Sequence, residues 1–179
     1  MSLMQSTLLT GMILLFLGGI LALKPVVAES GAKTFPRSKT AALLAFGGAS
    51  AWFLLTYVAN LGPADFGEYR NLLFAGFAVI AILSFFQVPD FLAVRGLAAL
   101  LLLYATEVLG TAYGMPQATR LFLVVVIYLS IIIALYLAAV PYRLRDFFCW
   151  LFDNPLRPRL CGGIIGAYGL LLLFVALTY

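Results

Sequence analysis

The chain has 179 residues, 64% of them hydrophobic and only 10% charged, with a mean hydropathy of +1.09 and a formal net charge of +4. A soluble domain carries about 25% charged residues, so a water-covered surface is excluded and lipid is the natural solvent. Histidine is absent, which excludes His-ligated haem, the usual His-based copper and non-haem iron centres, and a His general base.

Six apolar runs follow one another, predicting an all-α polytopic membrane helix bundle in one membrane domain over 1–179. Span one is expected over about 7–23 and stops at Lys24-Pro25. Val26-Val27-Ala28 resembles a signal-peptide cleavage site. Residues 1–7 hold no Lys or Arg, however, and the apolar run 8–23 is longer than a usual signal core, so a retained helix is expected. Span two runs over about 39–60 and ends at Leu61-Gly62-Pro63. Span three, about 69–86, is preceded by Asp65 and Glu68, where negative charge suits a helix N-terminus. Pro89-Asp90 opens span four, about 90–112, with Asp90 as its expected N-cap. A turn at Gly114-Met115-Pro116 leads into span five, about 117–140, which Pro141 stops. Span six covers about 160–177.

Between spans five and six, residues 142–153 read as a short interfacial amphipathic helix. Leu144, Phe147, Phe148, Leu151 and Phe152 share one face, Arg143, Asp146 and Asp153 lie mostly opposite, and Trp150 is an interface anchor. Arg143, Arg145, Arg157 and Arg159 around it are candidates to grip anionic lipid or an acidic partner surface, although basic residues here also serve simply to set orientation. Cys149 and Cys161 fall in the same stretch. With no histidine and no CxxC spacing they make a poor zinc site, and no metal is expected.

The basic residues alternate by connection. Lys24, Lys33, Arg37 and Lys39 lie on the first, Arg95 on the third, and Arg143, Arg145, Arg157 and Arg159 on the fifth; the even connections hold only Arg70 and Arg120. Positive charge stays in the cytoplasm, so both termini are expected to be extracytoplasmic, in a bacterial cytoplasmic membrane. The hairpins also echo one another. Spans one and five each end on a Pro, followed by a second Pro beside basic residues and then a span rich in small residues, with a shorter version at Pro89 and Arg95-Gly96.

Candidate sites inside the spans are few. Gly47 and Gly48 in span two, and Gly162 and Gly166 in span six, are expected helix-packing positions, because small residues let backbones approach where lipid removes the hydrophobic drive. Glu107 is the one acid well inside a span, about 7 Å from its outer end. An intramembrane acid is a functional candidate, here with Tyr104 and Thr106 beside it. An ion pair to Arg120, at similar depth across the turn, is the structural alternative. Tyr57, Tyr104, Tyr128, Tyr136 and Tyr168 would suit a bound pigment, quinone or lipid, or simply fill the bundle. No Ser–His, Cys–His, paired-carboxylate or phosphate-loop set is present. The expectation is therefore a non-catalytic accessory or scaffolding subunit of a larger membrane complex. Its partners would be other membrane subunits and anionic phospholipids, with no nucleic acid and no obligatory cofactor. The alternatives are a small transporter or channel with Glu107 at its pathway, and a lipid-binding enzyme or biogenesis factor.

Overall fold

The fold is that of a computed structural model, which describes residues 2–88 and 90–179. It is an all-α bundle, with no strand among the described residues. Six helical segments are long and apolar enough to cross a membrane: Leu3–Leu23, Lys39–Asn60, Gly67–Gln87, Leu92–Ala112, Arg120–Ala139 and Leu156–Ala176. The helices in chain order are α1 (Leu3–Leu23), α2 (Pro25–Thr34), α3 (Lys39–Ala42), α4 (Gly48–Thr56), α5 (Arg70–Gln87), α6 (Leu92–Ala112), α7 (Arg120–Ala139), α8 (Tyr142–Phe152) and α9 (Leu156–Ala176).

Several boundaries differ from the expected ones for identifiable reasons. α1 starts early because Ser2 and Gln5 form a reciprocal capping box, with the Gln5 amide donating to Ser2 Oγ at 3.2 Å and the Ser2 amide donating to Gln5 Oε1 at 3.0 Å. The polar residues after it stay helical. Thr7 donates back to the Leu3 carbonyl at 2.8 Å and Thr10 to that of Ser6 at 2.7 Å. α9 also starts early. Pro158 falls in its first turn, where a missing N–H leaves nothing unpaired, and Asn154 Oδ1 accepts from the Leu156 amide at 2.9 Å. Asp90 is not the cap of α6. That role falls to Phe91, held at φ +58° in the left-handed region, while Pro89 lies outside the described residues. A non-glycine residue pays about 1–2 kcal/mol there, offset by packing the Phe91 ring against the Val94, Ala98 and Leu144 cluster.

The first connection contains a helix that the sequence reading lacked. Lys24 ends α1 and Pro25 begins α2 at N1, so one proline serves as both stop and start. The same junction recurs in each hairpin. Lys24, Val88 and Val140, each followed by proline in the sequence, sit at φ/ψ of −130/60°, −133/55° and −130/70°. Proline disfavours the α region in the residue before it, and at these three helix ends that residue has left it, whereas Phe35 before Pro36 and Arg157 before Pro158 stay helical.

The second span is not one regular helix. A π-helical turn, Leu43–Gly47, separates α3 from α4, and Asn60 closes the far end by donating to the Leu55 and Thr56 carbonyls at 3.1 and 2.9 Å. α1 and α9 form the tightest pair in the bundle and run antiparallel, and α6 and α7 form the next. One buried cluster joins Leu3, Ala105, Val108, Ala112, Leu123, Ile127 and Leu172.

Candidate functional site: a groove below the basic end

The odd connections meet at one end of the bundle. Phe35 of the first, Phe91 of the third, and Leu144 and Phe148 of the fifth pack into one cluster, and α2 lies against α8. The two termini lie at the other end, where Thr178 comes within 3.4 Å of Thr119 in the fourth connection. Nine of the 11 Lys and Arg residues therefore share one end of the molecule.

Several of these cations are already engaged. Lys33 donates to Glu29 at 2.6 Å, and that hydrogen bond raises its pKa. Arg145 pairs with its neighbour Asp146 at 2.8 Å. Arg157 donates to the Trp150 carbonyl at 2.7 Å, lies 4.8 Å from that indole ring, and approaches Asp153 at 3.6 Å. A cation there satisfies an orphan carbonyl in the last turn of α8 and opposes the negative end of its dipole. Arg157 is thus a helix cap. Arg143 lies 5.7 Å from the Tyr142 ring, and Arg159 and Trp150 are exposed. Arg37, Lys39, Arg143 and Arg159 have no carboxylate within 4.0 Å among the described residues.

The other residues singled out in the spans fall in separate places. Glu107 accepts from the Tyr57 hydroxyl at 3.1 Å, on the side of α6 that faces the second span. Arg120 instead donates back to the carbonyls of Ala112, at 3.1 Å, and Met115, closing the end of α6. The Glu107–Arg120 ion pair does not form. The two groups share a depth but lie on different sides of α6. Tyr104 and Thr10 share a hydrogen bond of 2.8 Å, and Thr111 donates to Ser6 at 3.1 Å, so buried hydroxyls join α1 to α6. No periodicity marks these hydroxyls as interhelical.

The glycines divide as sharply. A methyl group at Gly162 would lie 2.6 Å from the Ala22 nitrogen and 2.7 Å from the Gly18 oxygen. At Gly169 one would meet Leu15 N at 2.6 Å, and Gly166 backs directly onto Gly18. The α1 partners, Gly11 and Gly18, were missed by sequence reasoning, although their seven-residue spacing places them on one helix face. Gly47 and Gly48 are not close-approach positions, since a side chain at Gly48 meets nothing within 4 Å. The contact in that region comes from Gly96, whose Cα presses on the backbone of Ala45 and Phe46.

That contact positions a groove. α5 and α6 barely touch one another among the described residues, although both lie on the second span. Phe46, Ser50 and Phe53 form the floor between them. Ala99, Leu102 and Leu103 of α6 line a hollow of about 300 Å³ on one side of that floor, and Phe77, Ile80 and Ala81 of α5 line one of about 170 Å³ on the other. At the basic end lies a third, separate hollow of about 350 Å³. This one is lined by Arg37, Ser38 and Lys39 above Ala42, Phe85, Phe86, Leu92 and Ala93. The Phe85 ring meets Phe46 edge-on at 5.6 Å, and with the buried Ala42, Leu92 and Ala93 it packs between this hollow and the groove.

Six spans of this length and apolarity, with their charge at the two ends, make the chain a multi-pass membrane protein. No protein-family model, no curated protein and no solved structure matches it.

Proposed function

We propose that the chain is a non-catalytic accessory or scaffolding subunit of a larger integral membrane complex. It would sit in a bacterial cytoplasmic membrane with its basic end inside and both termini outside. The observation that carries this reading is α5. Not one of its residues is buried, and edge-on contacts of Phe77 with Phe53 and of Phe85 with Phe46 are its main aromatic hold on the bundle. Lipid is as apolar as a leucine side chain, so a span gains stability chiefly from packing and hydrogen bonds to other helices. A span with so little packing inside its own chain has its outward face available to a neighbouring membrane protein, and Gly76, with open space around it, would let that neighbour approach closely. The orientation follows from the gathering of Lys and Arg at one end. A pathway through Glu107 is the weaker reading, because Tyr57 already engages that carboxylate.

Extraction from its native membrane in mild detergent, followed by native mass measurement, tests the proposal. The expected particle contains this chain with at least one other membrane protein, and Gly76→Leu releases that partner while leaving the chain folded. A chain that always migrates alone contradicts it.

A further inference from the structure

The hollow at the basic end of α5 and α6 combines two features. Arg37 and Lys39 are exposed cations without a carboxylate partner among the described residues. Directly beneath them the lining turns apolar, at Ala42, Phe85, Phe86 and Leu92, and the groove along Phe46 and Phe53 lies past the Phe46–Phe85 pair. From Ala42 to Phe53 the second span descends 11 residues, about 16 Å at 1.5 Å per residue. One leaflet of a bilayer's hydrocarbon core is about 15 Å deep. A pair of cations above apolar hollows that together reach one leaflet deep is complementary to an anionic lipid.

We propose that this groove is a binding site for an anionic glycerophospholipid, its phosphate held by Arg37 and Lys39 and one acyl chain lying between α5 and α6 over Phe46 and Phe53. The charges are complementary, and the mouth lies at the level of the interface where headgroups sit, beside the interfacial helices α2 and α8. Ser38, whose hydroxyl accepts from the Ala41 amide at 3.2 Å, caps the second span between the two cations. This site is independent of the subunit reading, since it requires no second protein.

The test uses the purified full chain in mild detergent. Phosphatidylglycerol and phosphatidylcholine of matched acyl composition are titrated in, and bound lipid is counted by native mass spectrometry. Each Lys or Arg near a headgroup contributes about a fivefold preference for negative charge, so one phosphatidylglycerol should bind about 25-fold more tightly than phosphatidylcholine. Arg37→Gln with Lys39→Gln should bring the two lipids to parity, whereas Arg143→Gln with Arg145→Gln should leave the preference in place. Ala99→Trp, or Ser50→Phe if the first variant is not monodisperse, should reduce occupancy by both lipids with the cations intact. Glycerol phosphate without acyl chains should not displace the lipid. The proposal is overturned if wild type does not discriminate, if the Arg143 and Arg145 pair carries the discrimination, if filling the groove leaves occupancy unchanged, or if glycerol phosphate competes.

Discussion

Gly162 shows how much a single atom decides in this bundle. Its α-carbon lies against the backbone of α1, where an added methyl would press on the Ala22 amide nitrogen and the Gly18 carbonyl oxygen. Neither is the tip of a flexible side chain, so two helices must part. Overpacking of this kind costs about 1–3 kcal/mol. Gly162→Ala should therefore lower the melting temperature of the purified chain in detergent. Gly163→Ala, one position on and facing open space, should leave it unchanged or raise stability by up to about 1 kcal/mol. Equal effects at the two positions would mean that α1 and α9 are not in backbone contact. At this scale the sequence was informative in part. The GxxxG at Gly162 and Gly166 was readable, but its match to Gly11 and Gly18 depends on which helices are neighbours, and that is a tertiary fact. Glu107 and Arg120 illustrate the same gap. Distance along a helix gives a residue's depth, but the direction it faces depends on helix rotation. Arg120 also had a closer use, in satisfying the carbonyls of Ala112 at the end of α6 and of Met115 in the turn after it.

Among the elements, α5 is the least secured. Two edge-on aromatic pairs, each worth about 0.5–1.5 kcal/mol beyond the area they bury, hold it to the second span. Replacing Phe77 and Phe85 together by Ala should raise hydrogen exchange in α5 of the isolated chain by about tenfold or more, with α1 and α9 unaffected. Unchanged exchange would show that α5 is held by contacts other than these. The interfacial helices differ in legibility. α8 was plain in the sequence because Leu144, Phe147, Phe148, Leu151 and Phe152 repeat at helical spacing between charged residues; of that face Leu144 and Leu151 are buried, whereas Phe147 is exposed. α2 was hidden because Pro-Val-Val-Ala-Glu-Ser-Gly-Ala-Lys-Thr is short, weakly apolar, and buries no residue. It forms as a short helix started by Pro25, stitched by Glu29 and Lys33 one turn apart, and leaning on α8. The π turn in the second span was equally invisible, since its residues are as apolar as their neighbours.

On the scale of the whole molecule, the charge pattern and the three-dimensional arrangement agree. Connections far apart in sequence gather their Lys and Arg at one end, where Phe35, Phe91 and Phe148 pack against one buried cluster. The N-terminal part of α1 packs on the C-terminal part of α9, which places both termini at the other end. This polarity was legible from the sequence because each span crosses fully, so the parity of a connection determines its side. Everything proposed about the cationic end rests on that end facing the cytoplasm. Thiol labelling tests it most directly, because the chain's only cysteines, Cys149 in α8 and Cys161 in α9, both belong to that end. In intact cells a membrane-impermeant maleimide should leave Cys149 unlabelled until the membrane is opened, and should label Ser2→Cys and Thr178→Cys, each made in a Cys149→Ser, Cys161→Ser background, from outside. Labelling of Cys149 in intact cells, or of only one of the two termini, would contradict the account.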